Sequence, residues 1–161
     1  MLSYTLLTSF VKDRISPCDS LALAKEYIQS IDFSMIIQKM IQDGWGKKEA
    51  KETEQQYRHF LYLNKKYPRA DALPPSLDID EFWHYHILDT KKYIYDCQNI
   101  FGYYLHHYPY LILDKEMNVA ELRKAFQFTQ ELYHTEFGEY IYATRSRYPK
   151  ILYKFFTLFI K

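Results

Sequence analysis

Four of the six histidines and one of the two cysteines of this 161-residue chain fall between positions 78 and 109. Imidazole and thiolate are preferred ligands of zinc and several other transition metals. The segment holding Asp80, His84, His86, Cys97 and His107 is therefore where a divalent transition metal such as zinc would be bound. Trp83 and Tyr93 are placed to line the same pocket. Asp80 and His84 are four residues apart, so on a helix they share a face and a carboxylate–imidazole contact is geometrically easy. That pair reads either as two metal ligands or an oriented base, or as a buried polar clasp that satisfies both groups.

Helix geometry restricts what such a site can contain. His84 and His86 point about 200° apart on a regular helix, so one ion cannot take both from an undistorted backbone. A single straight helix from His84 to Cys97 would separate them by roughly 20 Å. A site that joins them needs a break, and Asp89-Thr90 supplies one, because aspartate is a strong N-cap. A second helix starting at Thr90 carries Tyr93, Cys97, Ile100/Phe101 and Tyr104 along one stripe. His106 and His107 are expected at the end of that helix, where an imidazolium favours the negative dipole end. From there they are more than two turns from Cys97 and could join a site only through another element. A site of three histidines and a cysteine built from this segment alone is not expected. Cys97, on the apolar stripe, reads as packing or as a ligand or nucleophile. His59 and His134 stand alone and read as surface or helix-packing residues.

The elements around this segment are helical. Only four glycines occur, Gly44, Gly46, Gly102 and Gly138, each where a helix would end or begin, and no period of two persists. Two short helices are expected at 2–12 and 20–29, separated by Ser16-Pro17. Phe33, Ile36, Ile37, Met40 and Ile41 follow at helical spacing after Asp32 as N-cap. A longer amphipathic helix over 47–67 places Ala50, Tyr57, Phe60, Leu61 and Asn64 on one side, and Pro68 stops it. Residues 69–76, with Pro74-Pro75, form a stiff connector. Asn118 and Glu121 suggest a capping box for a helix with Leu122, Phe126, Thr129, Tyr133 and Phe137 on one face. The expectation is an all-α protein, an irregular bundle of about six to eight helices forming one domain over 1–161. Within it, 28–138 is the core and 139–161 an aromatic and basic C-terminal helical extension.

Composition narrows the function classes. The chain has 17 Tyr, 11 Phe and 2 Trp, so its interior must find partners for many phenolic hydroxyls. The net charge of +1 gives no whole-chain reason to expect nucleic acid, and the aromatic–basic interleaving of 140–154 is a weak signal for it. Cys18 and Cys97 are too few for a disulfide scaffold, and with no basic leader and no apolar run long enough to span a membrane a cytoplasmic location is expected. The C-terminal aromatic tail reads as a core helix, a helix that docks a protein partner or an interfacial membrane helix, and its few charges favour the first two. There is no Gly-x-Ser-x-Gly elbow, no His-Glu-x-x-His helix and no phosphate loop. Two functional expectations follow: a polar His/Asp/Cys pocket that binds a transition metal, or a non-enzymatic protein-interaction module whose His/Tyr cluster is a structural hydrogen-bond network.

Asp80, Trp83-His84, His86, Tyr93, Cys97, Gly102, His107 and Pro109 together resemble the signature of the glycine-rich domain-containing protein-like family. The resemblance to its small bacterial members runs over about 31–138. It takes in Gly44-Trp45, the Tyr57-Arg58-x-Phe60-Leu61 turn and the Phe126, Thr129, Leu132-Tyr133, Phe137-Gly138 positions. In the plant relatives an asparagine and a proline stand where Asp89 and Thr90 stand here, which implies a helix start at that point. Some bacterial members replace the second histidine of the Trp-His-x-His pair, which implies that His84 is a stronger ligand candidate than His86. This chain has no glycine-rich region, so the resemblance covers only the helical module, and it implies no established activity.

Overall fold

A computed structural model describes residues 20–68, 73–108 and 119–142. Six α-helices run through them: α1 (Leu21–Ser30), α2 (Ser34–Gln42), α3 (Lys47–Lys66), α4 (Leu77–Leu88), α5 (Thr90–Phe101) and α6 (Val119–Phe137). There is no strand among the described residues, and the protein is all-α. The helix expected at 2–12, the Asn118 cap and most of the 139–161 extension lie outside the described residues. Residues 139–142 follow the end of α6 and are not helical, and Ile141 is buried in the core.

Local chemistry explains the helix ends. Ser20 caps α1, its hydroxyl accepting from the Leu23 amide, and the Asp32 carboxylate accepts from the Ser34 amide at the start of α2. Glu49 reaches back to the Gly46 amide at the start of α3. That helix ends at Lys66, two residues before Pro68, whose ring disfavours helical backbone at Tyr67. Gly44 and Gly102 follow α2 and α5 with φ of 96° and 78°, a left-handed conformation that glycine adopts without a Cβ clash.

α3 is the central helix and packs against α1, α2, α4 and α6, while α5 lies on α1 and α4. Its inward face carries Ala50, Tyr57, Phe60, Leu61 and Leu63, all essentially inaccessible to solvent. From these a continuous apolar cluster extends to Ile28, Phe33, Met40, Ile79, Phe82, Ile100 and Tyr133, so every helix contributes to it. Arg58 is the one buried cation on α3. Its guanidinium donates to the carbonyls of Ile28 and Ile31 at the end of α1 and to the Glu54 carboxylate. It thereby satisfies acceptors that the end of α1 leaves open. At the other end of α3, Lys66 and Tyr67 both bond Glu136 and fasten α6.

Among the described residues, several of the tyrosine hydroxyls that the composition demanded partners for have them. Tyr27 donates to Asp96, Tyr67 to Glu136, Tyr85 to Asp43 and Tyr93 to the Leu105 carbonyl.

Candidate metal centre

α4 begins after Pro74-Pro75 with Ser76 as N-cap, its hydroxyl accepting from the Ile79 amide. Asp80 therefore sits in the first turn, where the helix dipole favours a carboxylate, and His84 stands one turn later on the same face. Helix α4 ends at Leu88 and α5 starts at Thr90, so the chain breaks at Asp89 as its sequence suggests. The break is made by backbone geometry alone, for Asp89 (φ −80°, ψ 71°) makes no side-chain cap.

Beyond α5 the path differs from expectation. The helix ends at Phe101, not at His107, because Gly102 takes the left-handed conformation. Residues 103–108 are then free of helix, and they return along α4 and α5. Tyr104 leaves the helical stripe, although its ring still meets Tyr93 edge-on at 5.1 Å. The same turn brings His107 to α4. Its Nε2 lies 2.7 Å from Asp80 Oδ1, while His84 Nδ1 lies 3.5 Å from Asp80 Oδ2. One ligand atom from each of Asp80, His84 and His107 lies within 4.8 Å of the others. Side-chain exposure is 46% for His84, 33% for Asp80 and 10% for His107, so the cluster opens to solvent on the His84 side. The Trp83 ring meets His107 edge-on at 4.5 Å and closes the other side. His84 also borders a groove of about 710 Å³ between α2 and α4, with Met35, Ile36 and Leu88 among its apolar walls and Asp43, Glu81 and Asp89 among its polar ones.

His86 and Cys97 are not brought to this cluster. His86 points into the core from the opposite side of α4, as a two-residue offset on a helix requires. Its Nδ1 accepts from the Tyr57 hydroxyl at 2.9 Å and its Nε2 donates to Asp96 Oδ2 at 3.0 Å, so both ring nitrogens are occupied. Burial depresses the His86 pKa more than its bond to Asp96 raises it, and the ring stays neutral. Burial pushes Asp96 up, but bonds from His86 and Tyr27 and the Lys92 ammonium outweigh it and hold the carboxyl low. Cys97 is 2% exposed, packed beside Tyr93, and burial raises its thiol pKa, which disfavours the thiolate that a metal would need. Trp83 borders the cluster, whereas Tyr93 lies beneath it, its hydroxyl accepting from Trp83 Nε1 at 2.8 Å.

His106 is exposed and its ring lies against Tyr104. His59 packs between α3 and α6. It stacks on Phe137 at 3.7 Å, accepts from the Gln55 amide at Nε2 and donates from Nδ1 to the Tyr133 hydroxyl. Asp96 is the residue that sequence reasoning passed over. The available signal was its position on α5 beside Cys97 and four residues after Lys92, on the inward side of an otherwise apolar stripe.

The UCP032817-like family model matches residues 24–150. Among curated proteins and among solved structures, none matches the chain. The resemblance to glycine-rich domain proteins is thereby corrected, since the match is to a different, uncharacterised family. Of the residues that suggested it, Trp83, Tyr93 and Cys97 are buried and Gly102 turns the chain after α5. With 127 consecutive residues matched, the chain belongs to the UCP032817-like family.

Proposed function

We propose that this protein binds a divalent transition metal ion such as zinc through Asp80, His84 and His107. The observation that carries this is the convergence of two imidazoles and a carboxylate, from two separate stretches of chain, at a solvent-open position. Two ligands of a tetrahedral zinc, each about 2.1 Å from the ion, stand about 3.4 Å apart. Asp80 Oδ2 and His84 Nδ1 are 3.5 Å apart, so that pair needs no rearrangement. His107 Nε2 lies at hydrogen-bond distance from the other oxygen of the same carboxylate, and one ring nitrogen of His107 is within 4.8 Å of a ligand atom of each partner, so an adjustment of this ring completes the set. Two imidazoles select against magnesium and calcium, which prefer all-oxygen sites. Three protein ligands leave a coordination position for water or a bound molecule, the composition of reactive zinc centres rather than closed structural ones.

The test is calorimetric titration of metal-stripped protein with zinc and with cobalt(II), alongside His84→Ala and His107→Ala. Saturable one-to-one binding is expected, weakened by roughly a hundred-fold or more in each variant, since even outer-shell losses cost ten- to a hundred-fold. No saturable binding by the parent protein, or equal binding by His107→Ala, defeats the proposal.

A second reading rests on the 2.7 Å contact between His107 and Asp80. Here the cluster is a polar clasp that pins residues 103–108 to α4 in a non-enzymatic interaction module. It predicts that both variants lose stability and that the parent protein takes up no metal, so the same titration separates the two.

A further inference from the structure

His107 belongs to no helix and owes its place to whatever holds residues 103–108. The neighbouring anchor is Leu105, two residues earlier. The Tyr93 hydroxyl donates to the Leu105 carbonyl at 2.5 Å and accepts from Trp83 Nε1 at 2.8 Å. The Leu105 carbonyl is thus held by a side chain on the buried face of α5. Tyr93 is inaccessible to solvent, which makes the anchor rigid. Trp83, which orients Tyr93, also touches His107 with its ring edge. One short chain of contacts therefore runs from the helix core to the imidazole.

We infer that Tyr93 is a positioning residue for the metal centre: by gripping Leu105 it holds His107 against Asp80 and His84. The inference rests on the metal-binding reading proposed above. Tyr93 is no ligand itself, and acts by fixing the backbone that carries one. Outer-shell groups that orient a ligand typically govern ten- to a hundred-fold of metal affinity. Tyr93→Phe keeps the ring and removes the hydroxyl that donates to Leu105 and accepts from Trp83 Nε1.

The test is cobalt(II) titration, followed by visible ligand-field absorption, of the parent protein, Tyr93→Phe, Trp83→Phe and a control, Arg58→Lys. The control weakens the fold at α1 and α3, away from the cluster. Tyr93→Phe is expected to lose roughly ten-fold or more in affinity and to show an altered cobalt spectrum, with Arg58→Lys unchanged in both. Should Tyr93→Phe fail to fold, Trp83→Phe, which keeps a ring beside His107 and removes the donor that orients the Tyr93 hydroxyl, decides: a loss in the same direction supports the inference and an unchanged affinity overturns it. Unchanged affinity in a folded Tyr93→Phe also overturns it, as does an equal loss in Arg58→Lys. The nitrogen-15 resonances of the His107 ring in metal-free protein keep the two failures distinct. If the parent protein binds no cobalt, the metal reading falls; a displaced His107 resonance in Tyr93→Phe then still supports the positioning of His107, and an unmoved one rejects it.

Discussion

His107 Nε2 lies 2.7 Å from Asp80 Oδ1 across 27 residues of sequence. The contact exists because α5 stops at Gly102 and Leu105 is gripped from beneath, so that six non-helical residues carry an imidazole back to the first turn of the preceding helix. A helix continued by two turns would have carried it away instead.

Metal binding should appear as thermal stabilisation. Zinc at a hundred times its dissociation constant is expected to stabilise the native state by about 2.7 kcal/mol, if the unfolded chain does not bind it. Differential scanning fluorimetry of metal-stripped protein should show a rise in Tm with zinc that is absent in His107→Ala. An equal rise in that variant would place the ion elsewhere.

His86→Ala should destabilise the protein without emptying the metal centre. Removing the ring leaves the buried Asp96 carboxylate and the Tyr57 hydroxyl each short of a partner, a loss of about 3 kcal/mol or more. Urea denaturation measures the cost, and zinc titration of the folded fraction should give the parent affinity. Normal stability with lost zinc affinity would make His86 a ligand after all.

Gly102→Ala should cost about 1 kcal/mol, because alanine at φ 78° suffers the Cβ clash that glycine avoids. Cobalt affinity should fall with it, since the turn aims the segment that carries His107. Denaturation and titration on the same preparation check both, and an unaffected titration would mean that the segment is held independently of its turn.

Stability should fall with acid through His59. Burial, with a smaller contribution from Lys25, pushes its pKa from 6.5 to about 4. Between those values the unfolded chain takes up a proton that the native state refuses. This contribution is therefore complete above about pH 6.5 and is lost as the pH drops toward 4, amounting to roughly 3 kcal/mol at most. The slope of stability against pH between 6.5 and 4 should be shallower in His59→Gln, and an identical slope would exclude His59 as its source.

Arg58→Lys should destabilise by about 2 kcal/mol or more despite keeping the charge. The planar fork reaches two carbonyls of α1 and Glu54 at once, and an ammonium on a flexible stem cannot reproduce that spread. Urea midpoints compare the two, and equal midpoints would show that the charge alone suffices.

Periodicity and caps made most of the helices legible. The apolar spacing of Ala50, Tyr57, Phe60 and Leu61 marks the buried face of α3, and Asp89-Thr90 marks the break between α4 and α5. Helix spacing also made Asp80 and His84 legible as a pair, because residues four apart share a face whatever surrounds them. The same rule warned that His84 and His86 diverge, and His86 does point into the core.

What no local rule could reach was the partner of each side chain across the fold. The sequence by itself determined an all-α chain with a carboxylate and an imidazole aligned on one helix. Only the tertiary structure decided that His107 joins them while His86 is bound to Asp96 and Tyr57 and Cys97 is sealed beside Tyr93. Spacing rules describe one element at a time; which face of α5 meets α4, and where residues 103–108 run after Gly102, depend on the packing of the whole core.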